Sequence, residues 1–143
     1  MSLNRLLPGF LLIAVAFFAG RGLQAEPAES KPAARVFEIR TYTAAEGKLD
    51  ELHARFRDHT MRLFEKHGMT NVGYWSPMDE PATQNTLIYI LAHESRDAAS
   101  KSWAGFRADP EWHKARDASE VNGKLTAKVE SVYATATDYS PMK

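Results

Sequence analysis

No cysteine occurs in the 143 residues. That excludes a disulfide framework, a zinc ribbon, a cysteine nucleophile and a thiolate-bound iron–sulfur cluster. A charge excess of either sign is also missing, since 18 Lys+Arg stand against 18 Asp+Glu. Nothing is therefore available to drive phosphate neutralisation, and a nucleic-acid partner is not expected. The chain has no G-x-S-x-G, no P-loop and no G-x-G-x-x-G, so serine-hydrolase and nucleotide-binding readings lack their minimum parts. It has no H-E-x-x-H either, and neither a metal nor a cofactor is expected. What remains is 44% hydrophobic and 10% aromatic, a composition that suits a packed domain.

The first segment reads as an address. Arg5 precedes an apolar run from Leu6 to Ala19, broken only by Pro8 and Gly9, and Leu23-Gln24-Ala25 offers a small-residue cleavage site. Residues 1–25 are expected to be a secretory signal peptide. The run is shorter than the ~20 apolar residues of a spanning helix, so no stable membrane span is expected after cleavage. The protein is then exported, to the periplasm or the medium. Residues 26–34 carry Pro27 and Pro32 without periodicity and read as a flexible linker. Residues 35–143 form the domain.

Val36 to Tyr42 alternates as a strand, with Phe37, Ile39 and Thr41 on one face and Glu38, Arg40 and Tyr42 on the other. After Gly47, a stripe of Leu49, Leu52, His53, Phe56, Thr60, Leu63, Phe64 and His67 predicts an amphipathic helix of about five turns, capped by Gly68. Met69 to Trp75 reads as a strand. Thr86 to His93 is apolar on both faces, which makes it a central strand covered on two sides. Ser95 caps a second helix, and Asp109-Pro110-Glu111 restarts it. Leu125 to Tyr133, with a continuation toward Tyr139, is the last strand. The order β-α-β-β-α-β is the ferredoxin-like pattern: an α+β fold with a four-stranded antiparallel sheet and both helices on one face. The other face needs cover, and a second copy of the same face supplies it most simply, as a homodimer.

Three stretches carry a resemblance. Phe37-Glu38-Ile39-Arg40-Thr41-Tyr42 is followed by Gly47-Lys48-Leu49; Trp103-Ala104-Gly105-Phe106 leads into Asp109-Pro110-Glu111-Trp112; Thr137-Asp138-Tyr139-Ser140-Pro141 lies near the end. In this order the chain resembles the NIPSNAP family of dimeric α+β barrel proteins, from about Val36 to Met142. The resemblance implies ferredoxin-like subunits paired sheet to sheet, and it implies no agreed reaction.

Glu38, Arg40 and Tyr42 form a row of carboxylate, guanidinium and phenol that can orient an anionic or phenolic molecule. The competing reading makes Glu38 and Arg40 cross-strand pairs at the dimer seam, with Glu130 of the last strand a further partner for Arg40. Trp75, Trp103, Trp112, Tyr74, Tyr89 and Phe106 are either core or the walls of an aromatic cleft, with Tyr89 and Trp112 assigned to the ligand site. Among the histidines, His53 and His67 stand about 21 Å apart along one helix and cannot share a metal. His113 has Asp109 and Asp117 one turn to either side. His59 and His93, together with Tyr42, are the candidates for proton transfer.

Three functions are open on these grounds. The first is a homodimer that binds a small, partly apolar molecule. The second is a cofactor-independent monooxygenase or isomerase with a His or Tyr in the sheet–helix cleft. The third is a non-catalytic interaction protein with a solidly packed interior.

Overall fold

A computed structural model describes residues 35–143. The proposed signal peptide and linker lie outside the described residues. Four strands, β1 (Val36–Ala44), β2 (Thr70–Trp75), β3 (Thr86–His93) and β4 (Thr126–Thr135), form one antiparallel sheet in the order β2-β3-β1-β4. The helices are α1, made of the consecutive segments Leu49–Arg55, Phe56–Thr60 and Met61–Lys66, then α2 (Arg96–Ala108) and α3 (Pro110–Ser119). This is the expected α+β, ferredoxin-like architecture, with β1 and β3 at the centre. The last strand stops at Thr135, short of Tyr139.

Local chemistry explains the boundaries. Ser95 accepts a hydrogen bond from the Ala98 amide at 3.0 Å, and Asp109 accepts one from the Glu111 amide at 2.8 Å, so α2 and α3 each start on a side-chain cap. Pro110 occupies the first turn of α3, where its missing N–H costs nothing. Gly68 ends α1 with φ +78°, a conformation that a side chain disfavours.

The helix α1 departs from the sequence expectation in one respect. It runs as α-helical Leu49–Arg55, π-helical Phe56–Thr60 and α-helical Met61–Lys66. The Met61 amide reaches back five residues to the Phe56 carbonyl. The Thr60 hydroxyl donates to the Arg55 carbonyl at 3.2 Å, which satisfies a group that the wider turn leaves over. Leu52, Arg55, Phe56, Thr60, Leu63 and Phe64 are all buried, Arg55 against Ser119 and Trp112 of α3.

The register assigns the two sheet faces. Opposite one another on the helix side stand Glu38 and Leu91, Arg40 and Tyr89, Tyr42 and Leu87. The core lies between this face and the helices, with Leu52, Phe64, Tyr89 and Leu91 at or below 1% exposure. The opposite face carries Ile39, Ile88, Ile90, Val132 and Trp75. Ile39, Val132 and Trp75 remain exposed there.

Candidate functional site

The row Glu38–Arg40–Tyr42 points at the helices. It is therefore not on the exposed sheet face, where a sheet-to-sheet seam would lie. Glu38 is 1% exposed and is the hub of the row. Its Oε2 accepts from Trp103 Nε1 of α2 at 2.7 Å and from His93 Nε2 of β3 at 3.0 Å. Its Oε1 accepts from Ser131 of β4 at 2.8 Å and from Arg40 Nη1 at 2.5 Å. Burial alone would raise its pKa. The bonds from His93, Trp103, Ser131 and Arg40 outweigh that and lower it to about 2. A carboxylate only accepts, so His93 Nε2 carries the hydrogen, and Nδ1 is buried without a partner among the described residues.

Arg40 is held in three ways. Nη1 pairs with Glu38, Nη2 donates to the Tyr42 hydroxyl at 3.3 Å, and its guanidinium carbon lies 4.3 Å from the centre of the Trp103 ring. Its Nε remains buried with no acceptor among the described residues. Tyr89, opposite Arg40 on β3, is fully buried among Tyr42, Phe56, Phe64 and Tyr74, and its hydroxyl also has no partner among the described residues. Burial first, then the neighbouring Tyr42, raises the Tyr89 pKa, so its hydroxyl keeps its proton and remains a donor.

A cleft of about 320 Å³, a size that suits a small ligand, opens at the Tyr42 end of this row; Tyr42 is the member of the row that lines it, with Arg40 and Tyr89 next to Tyr42 in the layer behind. Tyr42, Phe64, Phe106 and Trp112 give it aromatic walls. Arg55, Arg116 and Lys124 line it against a single acid, Glu120. Arg55 is 4% exposed, donates to Glu120 at 2.8 Å and lies 5.2 Å from the centre of the Trp112 ring. Arg116 pairs with its neighbour Asp117.

The structure thus brings together Glu38, Arg40, Tyr42 and Tyr89, and it sets Trp112 across the cleft from Tyr42. The two histidine candidates lie elsewhere. His93 is sealed behind Glu38. His59 is exposed in a groove with Asp58 and Ala115 on the outer side of α1 and α3, because the π turn does not follow a 3.6-residue period. Glu130 is no partner for Arg40. It stands opposite Thr41, turned to the other sheet face and paired with Lys128, while Ser131 takes the place opposite Arg40. His113 binds the Arg107 carbonyl at 2.7 Å. Sequence reading missed Arg55 and Ser131, and it took Trp103 for a wall or core residue when its indole N–H also anchors Glu38. An arginine three residues after Leu52 on an apolar stripe was the one available signal for Arg55.

Comparison with known proteins places this geometry in context. The family model described as NIPSNAP matches residues 37–141. A solved NIPSNAP family protein of unknown function from Agrobacterium tumefaciens is 23% identical, with 78% of this chain and 96% of that chain covered, at a TM-score of 0.65. SnoaB, a cofactor-independent oxygenase from Streptomyces nogalater, is 18% identical over 76% of this chain and 99% of that one, at a TM-score of 0.52. A monooxygenase of Streptomyces coelicolor, solved in complex with nanaomycin D, is 16% identical over 75% and 91%, also at 0.52. No match was found among curated proteins.

Proposed function

The chain belongs to the NIPSNAP family, and from that premise we propose that it is an exported homodimer whose sheet–helix cleft binds a small, partly apolar molecule through an acidic or carbonyl oxygen. The observation that carries this reading is the pair of buried donors, Arg40 Nε and the Tyr89 hydroxyl, that have no acceptor among the described residues and whose side chains adjoin Tyr42 in the cleft wall. Each such group costs about 1–3 kcal/mol when left unpaired. An oxygen of the ligand recovers that cost, and the aromatic walls take its apolar body. Arg55 and Arg116 line the cleft already paired with Glu120 and Asp117, and Lys124 adds a cation with no ion pair among the described residues, a balance that favours an anion over a neutral molecule.

Export rests on Arg5, the Leu6–Ala19 run and the site at Ala25. Dimerisation rests on the exposed apolar face that Ile39, Val132 and Trp75 present. The cleft counts against the purely interactive reading, which requires a solid interior. One observation favours an enzymatic reading as well: Tyr42 accepts from Arg40, which leaves its own proton free to face the cleft that it lines. Since neither histidine candidate reaches the cleft, Tyr42 is the group that turnover would need.

Native mass spectrometry of protein recovered from its own cell envelope tests the whole reading. The expected species is a dimer of chains that begin at Glu26, carrying a small acidic molecule. Ligand-free monomers that begin at Met1 would contradict it.

A further inference from the structure

The aromatic cleft has a neighbour. A second cleft, of about 350 Å³, lies beneath the same helix and is lined by His53, Arg57, Met61, Trp75 and Leu87. Leu87 lines it while Tyr42, its register partner on the same sheet face, lines the first cleft. The two clefts are therefore one strand apart. Phe56 borders both.

Phe56 stands where the helix widens. Its carbonyl is the acceptor of the five-residue hydrogen bond from Met61. Thr60, at the end of the π turn, lines the first cleft, and Met61, the next residue, lines the second. The ring lies 5.7 Å from Tyr42, 5.1 Å from Tyr89 and 5.8 Å from Tyr74. Its edge contacts with Tyr42 and Tyr74 span the first cleft's wall and the second's. A wider turn at such a place is a recurrent feature of functional sites in helices.

We propose that Phe56 is the specificity-determining residue of the ligand site, a partition that confines the ligand to the first cleft and closes off the second as its extension. This rests on the reading that the first cleft binds an acidic molecule through Arg40 and Tyr89. With Phe56 in place, the site takes a compact aromatic acid. With Phe56 shortened, the two clefts join, and an elongated acid lays its tail on Met61 and Leu87 and ends near Arg57. Apolar burial rewards each added methylene about fourfold in affinity while there is room for it.

Calorimetric titration with a graded series tests this: 4-phenylbutanoate, 6-phenylhexanoate, 8-phenyloctanoate and 10-phenyldecanoate. In the wild type, affinity is expected to rise along the series and then level off. In Phe56→Leu the rise continues to longer acids, so that 10-phenyldecanoate gains at least tenfold over the wild type while 4-phenylbutanoate changes less than threefold. Phe56→Ala should extend it further, and Phe56→Leu serves if Phe56→Ala does not fold. Adding Met61→Trp to Phe56→Leu refills the second cleft and should abolish the gain. A limit that Phe56→Leu leaves unmoved, or a gain that survives Met61→Trp, overturns this inference alone. If no acid of any length binds the wild type, the functional reading beneath it falls too.

Discussion

The Trp103 indole nitrogen donates to the Glu38 carboxylate at 2.7 Å, which ties the middle of α2 to the second residue row of β1. The same indole lies under the Arg40 guanidinium, 4.3 Å from ring centre to carbon. One side chain therefore anchors the acid and supports the base that the acid orients. The consequence for function is geometric. Arg40 commits one hydrogen of Nη1 to Glu38 and one of Nη2 to Tyr42, which fixes the plane of the guanidinium and hence the direction in which the buried Nε–H points.

Glu38 makes stability depend on pH in acid. Its folded-state pKa, about 2, lies below the ordinary value of 4.5, so its stabilisation is complete above that value and is lost as pH falls through the folded pKa. The wild type should lose about 3 kcal/mol relative to Glu38→Gln between pH 6 and pH 2. Urea unfolding of both proteins at several pH values measures this. Parallel profiles would remove Glu38 from the role assigned to it.

The apolar sheet face gives a second expectation. Val132 is 62% exposed at the middle of β4, opposite Ile39. Sedimentation equilibrium at micromolar concentration should give twice the chain mass for the wild type. Val132→Lys should give a monomer with unchanged far-ultraviolet dichroism, since the side chain supports no core contact and a charge cannot be buried cheaply in an apolar seam. A folded wild-type monomer would refute the dimer.

Much of the fold was legible because its signals are local. Period-two alternation marked β1, and the caps at Ser95 and Asp109 marked the starts of α2 and α3. The row Glu38, Arg40, Tyr42 was legible for the same reason. Its direction was not, since β3 is apolar on both faces and offers no clue to which one the helices cover. Glu130 was misplaced by one residue, and in a strand one residue reverses the face. The outward position of His59 was not legible, because the π turn holds an extra residue that a 3.6-residue period does not reveal. The buried role of Arg55 depends on Glu120, 65 positions away, and no local pattern reports that pairing.

The central claim, that Arg40 and Tyr89 together receive the oxygen of an acidic ligand, is tested most directly by a double-mutant cycle in binding. Naphthalene-2-carboxylate is titrated into the wild type, Arg40→Met, Tyr89→Phe and the double variant, with thermal melts to confirm folding. Arg40→Met should fold, because Glu38 keeps its bonds from His93, Trp103 and Ser131. Each single variant should weaken binding at least tenfold, and the double variant should lose less than the two single losses combined, as expected for donors that share one acceptor. Equal affinity in the wild type and both folded single variants would contradict the claim.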